Sequence, residues 1–177
     1  TEKELDMEIL GNTKIFHVGS LSLTSEPARS TTFAAIKAAK SAGAVISYDP
    51  NYRATLWENV ETAKREMKSL IPFVDIMKIS DEETELLTDE KEPEQAAKVL
   101  MGKGVKLVAV TLGKDGAYIA NAEGGKRVPG FESNVVDTTG AGDAFWGTFL
   151  YKLSQSNESI EKITLDMAVE YAGFANS

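Results

Sequence analysis

Asp143 closes the stretch Asp137-Thr138-Thr139-Gly140-Ala141-Gly142-Asp143, where two glycines flank an alanine just before an apolar run that starts at Ala144. A helix beginning here would expose unpaired N–H groups and about half a positive elementary charge at its first turn. The amides of Gly140, Ala141 and Gly142 could then converge on an anion, and two residues without a Cβ would let a bulky one come close. A carboxylate beside such a hole can take the proton of a hydroxyl while the amides stabilise charge on phosphoryl oxygens. Those are the two demands of phosphoryl transfer to an alcohol. Spacing alone reads equally well as a tight turn followed by a helix-start acid. The P-loop ending in Lys-Ser or Lys-Thr is absent, and so is the third glycine of a dinucleotide fingerprint.

Other candidates lie where apolar runs give way to polar turns. Thr111 and Gly113 follow the run Val105 to Val110, a position where open parallel sheets bind ligands, although the segment also reads as a plain hairpin connection. Asn51 and Arg53 open the loop after Asp49-Pro50. Arg offers a planar fork of donors to hydroxyls or a carboxylate, and a Pro-Asn turn with a solvated Arg is the alternative. Ser80 precedes Glu83 by three residues, the spacing of a helix capping box. His17 is the single histidine and, inside an apolar run, reads as a packing residue with no assigned role. Trp57 and Trp146 read as packing residues too, Trp57 with a place beside the Arg53 loop.

These positions need elements to hold them. Runs near Lys14, Ala44, Val74 and Val105 are continuously apolar and β-branched, as in strands covered on both faces. Helical patterns run between them over Pro27–Ala42, Glu58–Leu70, Asp81–Leu87 and Glu94–Lys103. The alternation predicts right-handed βαβ units around a mostly parallel sheet. After Leu112, short segments split by Gly-rich turns (Gly116 to Ala120, Lys126 to Phe131, Asn134 to Asp137) predict a small antiparallel patch. Two helices follow, Ala141–Ser154 and Ser159 to about Ala175, the second with Ile160, Ile163, Met167, Ala168, Tyr171 and Phe174 on one face.

At 177 residues and 42% hydrophobic content the chain suits a single domain. A formal charge of −8 without a basic cluster offers no long-range attraction to nucleic acid or an anionic membrane. No apolar run approaches the ~18 residues of a membrane span. The sequence has no cysteine, which excludes disulfides and thiolate metal sites and suits a reducing cytoplasm. The start at Thr1 and the abrupt ending of the last helical pattern read as a domain truncated at both ends.

The stretch Asp137 to Leu150 resembles the signature of the PfkB, or ribokinase-like, carbohydrate kinases. The order of Phe16 to Leu23, Asp49 to Trp57, Lys78 to Thr88 and Val110 to Gly116 is similar as well, most of all to the fructokinase branch. The resemblance implies a three-layer α/β/α fold without its N-terminal part and lid, and an ATP-dependent sugar kinase. Another sugar or nucleoside acceptor, such as 2-keto-3-deoxygluconate, and a non-catalytic nucleotide-binding module are the alternatives. It also implies Asp143 as base, Gly140 to Gly142 as anion hole, Thr111 and Gly113 as ATP contacts, and Asn51 and Arg53 near the sugar. Glu83 matches the Glu of an Asn-x-x-Glu motif that reaches Mg²⁺ through water, whereas Ser80 replaces the Asn. Asp137 and Thr139 would help to hold a monovalent cation such as K⁺, and a homodimer is implied for the full-length protein.

Overall fold

The central runs of the sheet are mostly β-branched and aliphatic and buried on both faces, so they need helices above and below. The computed structural model describes residues 1–131, 139–156 and 158–176. Six strands lie in chain order: β1 Ile15–Gly19, β2 Val45–Asp49, β3 Ile76–Ser80, β4 Leu107–Thr111, β5 Ala117–Asn121 and β6 Gly124–Val128. The first four are parallel, and β4, β5 and β6 pair antiparallel. The last expected antiparallel segment, Asn134 to Asp137, lies outside the described residues.

Helices α1 Met7–Gly11, α2 Ala28–Ser41, α3 Val60–Leu70, α4 Asp81–Thr88 and α5 Pro93–Gly102 precede or connect the parallel strands. Crossovers of one hand that advance steadily in one direction put α2 to α5 on one face. There Ile36, Met67, Leu87 and Leu100 pack on Ile46, Tyr48, Ile79 and Val108. The other face carries α6 Ala141–Gln155 and α7 Leu165–Asn176, whose Trp146, Phe149, Leu153 and Ala168 meet Ile76, Leu107, Ala109 and Ile119. Alternate strand residues serve the two layers, as a period of two requires. No helix among the described residues is long and apolar enough to cross a membrane.

One helix departs from the sequence reading. The expected helix from Ser159 is broken: Ile160–Lys162 is a short 3₁₀ turn, Ile163 is extended, and α7 starts only at Leu165. Thr164 sets that start, its hydroxyl accepting from the Met167 N–H at 3.2 Å and its carbonyl from the Ala168 N–H at 3.0 Å. Phe174, expected on the buried face, is 50% exposed, with the Lys152 ammonium 3.9 Å from its ring centroid.

Candidate active site

Helix α6 runs against the direction of the parallel strands, so its first turn stands over their carboxyl ends. Asp143 meets Asn51 just past the end of β2, Trp146 bonds Ser47 in mid-β2, and Ser154 accepts from Lys14 just before β1. Twelve helical residues span roughly 18 Å, about the length of a five-residue strand, which makes this pairing of ends possible. The helix is anchored below by Trp146, buried and stacked on Phe149 with ring centroids 5.0 Å apart. Its indole N–H donates to the Ser47 hydroxyl at 2.9 Å.

The first turn itself is exposed from Thr139 to Ala141 and at Asp143, with Gly142 half-buried. Gly140 is the N-cap residue at φ +80°, a left-handed conformation that side chains with a Cβ adopt at a cost. Nothing lies within 4 Å of where its Cβ would stand. An anion can therefore approach the amides of this turn from solvent. Gly142 is a glycine for a different reason: a Cβ there would sit 3.0 Å from the Lys78 ammonium nitrogen. The close approach is that of Lys78 to the first turn of the helix.

Asn51 meets Asp143 across 92 residues of chain, its carboxamide Nδ2 donating to Asp143 Oδ1 at 3.3 Å. Asn51 has φ +46°, uncommon for a residue other than glycine, and the Asp49 carboxylate holds it there by accepting its N–H at 3.1 Å. Arg53 is exposed and turns its guanidinium back onto the Tyr52 carbonyl at 3.3 Å. The loop expected to face a sugar is thus joined to the proposed base.

Two buried residues here escaped the sequence reading. Lys78 in the middle of β3 and Asp49 at the end of β2, with side chains 7% and 4% exposed, form an ion pair of 2.9 Å between adjacent strands. Burial pushes the Asp49 carboxyl up to about 6 from 3.8, against the downward pull of Lys78. A signal was available in principle: a lysine inside a strand covered on both faces must find a partner at matched register.

Glu83 caps α4 as its spacing predicts, one oxygen accepting from the Ser80 N–H at 2.8 Å and the Ser80 hydroxyl at 3.1 Å. Its other oxygen accepts the Tyr52 N–H at 2.7 Å, and the residue is 5% exposed. Three of roughly four acceptor sites are filled by the chain's own donors, which leaves about one for a water molecule of a hydrated cation. We expect Glu83→Ala to cost at least ~1–3 kcal/mol, the penalty for leaving a buried donor unsatisfied. Urea unfolding of the intact protein measures it, and a midpoint and slope equal to those of the wild type would show that solvent satisfies these groups.

Thr111 ends β4, paired in register with Ser80, and its hydroxyl reaches the Ile79 carbonyl at 3.4 Å. Gly113 begins the 3₁₀ turn Gly113–Asp115 that leads into β5. Both stand at the carboxyl end of the parallel strands, the ligand-bearing end of such sheets. Asp137 lies outside the described residues, and Thr139 is exposed just before the N-cap of α6. Among the described residues no group of three or more His, Asp or Glu converges in a way that could hold a metal ion.

The remaining sequence candidates divide. Trp57 is a core residue of the α2–α3 face. His17, read as packed, is exposed as a residue, in the middle of the edge strand β1. Its Nδ1 is 3.0 Å from Ser47 Oγ. Enough protein still surrounds the imidazole that burial lowers its pKa, with Asp143 acting upward and Lys78 downward. A cleft of about 520 Å³ lies at the opposite end of the sheet, where Lys40 and Lys106 are matched by Asp75 and Glu161. The chemistry converges instead at the shallow, open edge under α6.

Known proteins share this arrangement of sequence and fold. The chain is 42% identical over 161 residues to the probable fructokinase-5 of Arabidopsis thaliana, covering 90% of this chain and 50% of that protein. The fructokinase of Vibrio cholerae O395, solved with fructose, ADP and calcium ion, superposes with a TM-score of 0.83 at 34% identity, over 96% of this chain and 56% of that one. The aminoimidazole riboside kinase of Salmonella enterica, solved with aminoimidazole riboside and an ATP analogue, gives 0.81 at 30% identity, over 93% and 54%. The chain spans about half the length of the curated relatives it matches. The pfkB family carbohydrate kinase domain matches residues 1–175, taking in all six strands, the α6 turn and nearly all of α7. On that extent of agreement, the chain belongs to the pfkB family of carbohydrate kinases.

Proposed function

We propose that the protein carrying this chain transfers the γ-phosphoryl group of ATP to a primary hydroxyl of a sugar, with fructose as the acceptor. One observation carries the reading: Asp143 stands on the exposed first turn of α6, tied at 3.3 Å to Asn51 of the adjoining loop. Asp143 takes the hydroxyl proton as the sugar oxygen bonds to the γ-phosphorus and the bond to the β–γ bridging oxygen breaks. ADP leaves with that bond's electrons. The amides of Gly140, Ala141 and Gly142 stabilise charge on the transferred oxygens. Thr111 and Gly113 contact the nucleotide from the end of β4, and Arg53 with Asn51 borders the sugar.

Mg²⁺, if bound, would supply neutralisation of the phosphate charge. Glu83 would hold it through water with its remaining acceptor position, while its other bonds keep the Asn51 loop and the α4 turn together. Asp137 and Thr139 remain our assignment for a monovalent cation such as K⁺. The cysteine-free sequence suits a reducing compartment such as the cytoplasm, and we assign the whole protein a homodimer.

Likeness to an aminoimidazole riboside kinase favours one rival, a riboside acceptor. An acceptor panel of fructose, ribosides and 2-keto-3-deoxygluconate, followed by ADP release, separates them. We expect the highest kcat/KM with fructose. A strict need for a riboside or an acidic sugar would reject the assignment, and ATP binding without turnover on any acceptor would point to a binding module.

A further inference from the structure

We infer that the buried pair Asp49–Lys78 positions both halves of the phosphoryl-transfer site, the base through one arm and the anion-binding turn through the other. The inference rests on the reading of Asp143 and the α6 turn given above. Asp49 is the last residue of β2, and the β2–β3 register, which pairs Tyr48 with Met77, sets it beside Lys78. Its Oδ2 meets the Lys78 ammonium at 2.9 Å, while Oδ1 accepts the Asn51 N–H at 3.1 Å. That second bond fixes Asn51 in its left-handed conformation, from which the carboxamide holds Asp143 Oδ1. The relay therefore runs from Asp49 through Asn51 to the proposed base.

The other arm is Lys78 itself. Its ammonium lies against Gly142, 3.0 Å from the Cβ position, directly beneath the first turn of α6. A cation is misplaced there for helix stability, because the N-terminal end of a helix dipole favours negative charge. A local rule broken at a site of chemistry marks a functional placement. Stability alone gives little reason for the pair, since buried ion pairs are often no better than apolar replacements. The same positive charge, added to the amides from below, favours a transferring phosphoryl group above them. Asp49 keeps the ammonium buried and aimed at the turn, and Lys78 keeps Asp49 ionised enough to hold Asn51.

The test uses the intact protein and the double variant Asp49→Asn with Lys78→Met, which removes both charges while keeping shape. We expect it to fold by circular dichroism and thermal melting. Its kcat should fall at least ~10-fold, short of the ~10²–10³ lost with a direct anion-hole donor, while KM for the sugar stays within about threefold. A folded variant with wild-type kcat overturns the inference, as does a change in sugar KM alone. Failure of the double variant to fold overturns it too, since the pair would then be structural. A second measurement compares Asp49→Ala, which removes the oxygen that accepts the Asn51 N–H, with Asn51→Ala and their combination: within one relay the combined loss in kcat matches the larger single loss, and additive losses reject the relay. Asp143→Asn separates the two levels. If that variant keeps turnover, the base assignment falls; if it is inactive while the neutralised pair retains full kcat, only the present inference falls.

Discussion

Asp143→Asn in the intact protein should lower kcat at least ~10²-fold, the lower end of what a positioned general base contributes, and leave ATP affinity nearly unchanged. The substitution is nearly isosteric, and the new side-chain oxygen can still accept from the Asn51 carboxamide that now donates to Oδ1 at 3.3 Å. Position is kept and basicity is lost. The acceptor hydroxyl then has no carboxylate to receive its proton as it attacks. The amides of the α6 turn and the ends of β3 and β4 are untouched, so nucleotide binding has no reason to weaken. Coupled measurement of ADP release gives kcat, and calorimetric titration with ATP gives the affinity. Turnover within about threefold of the wild type would remove Asp143 from the chemistry. Loss of ATP binding in step with kcat would make it a nucleotide contact instead.

Much of this architecture is legible in the sequence because its causes are local. Continuous apolar runs dictate strands covered on both faces, and β1 to β4 begin within two residues of the runs that predict them. The α6 turn is legible because Gly140 and Gly142 punctuate the chain just before a helical pattern. The reason for each glycine is not. Gly140 answers a backbone angle, whereas Gly142 answers a lysine 64 residues earlier, and spacing cannot distinguish the two. Asn51 is legible as a loop residue at a strand end, but its contact with Asp143 depends on α6 lying antiparallel over β2. Lys78 was hidden inside a strand pattern, since one charge among apolar residues does not disturb the period. The break before α7 had a local signal, Thr164 in capping position, and was masked by apolar residues that kept helical spacing across it.

Lys78→Met should destabilise the protein by about 3–5 kcal/mol at pH 8, the range for removing one member of a buried ion pair, and by under ~1 kcal/mol at pH 5. The pH dependence follows from Asp49. Its folded pKa, about 6, stands above the unfolded 3.8, mainly through burial. Folding therefore disfavours its ionised form: this group's contribution to stability is fully present below about 3.8 and is lost as pH rises through 6. In the wild type the loss levels off at about 3 kcal/mol, because Lys78 limits the shift. Without the ammonium the folded pKa climbs further, and Glu83, whose charge already pushes it upward, goes unopposed. Asp49 must then either stay protonated or ionise unpaired, so the deficit keeps growing between pH 6 and 8. At pH 5 the carboxyl is largely protonated in both proteins, and the Met side chain replaces a buried charge that has lost its partner. Urea unfolding at pH 5 and pH 8 measures the difference, and groups far from the substitution cancel between the two proteins. Adding Asp49→Asn should abolish the pH-dependent part while leaving the helices around it intact. A deficit of the same size at both pH values would show that Lys78 supports the fold through its aliphatic stem, with its charge playing no part.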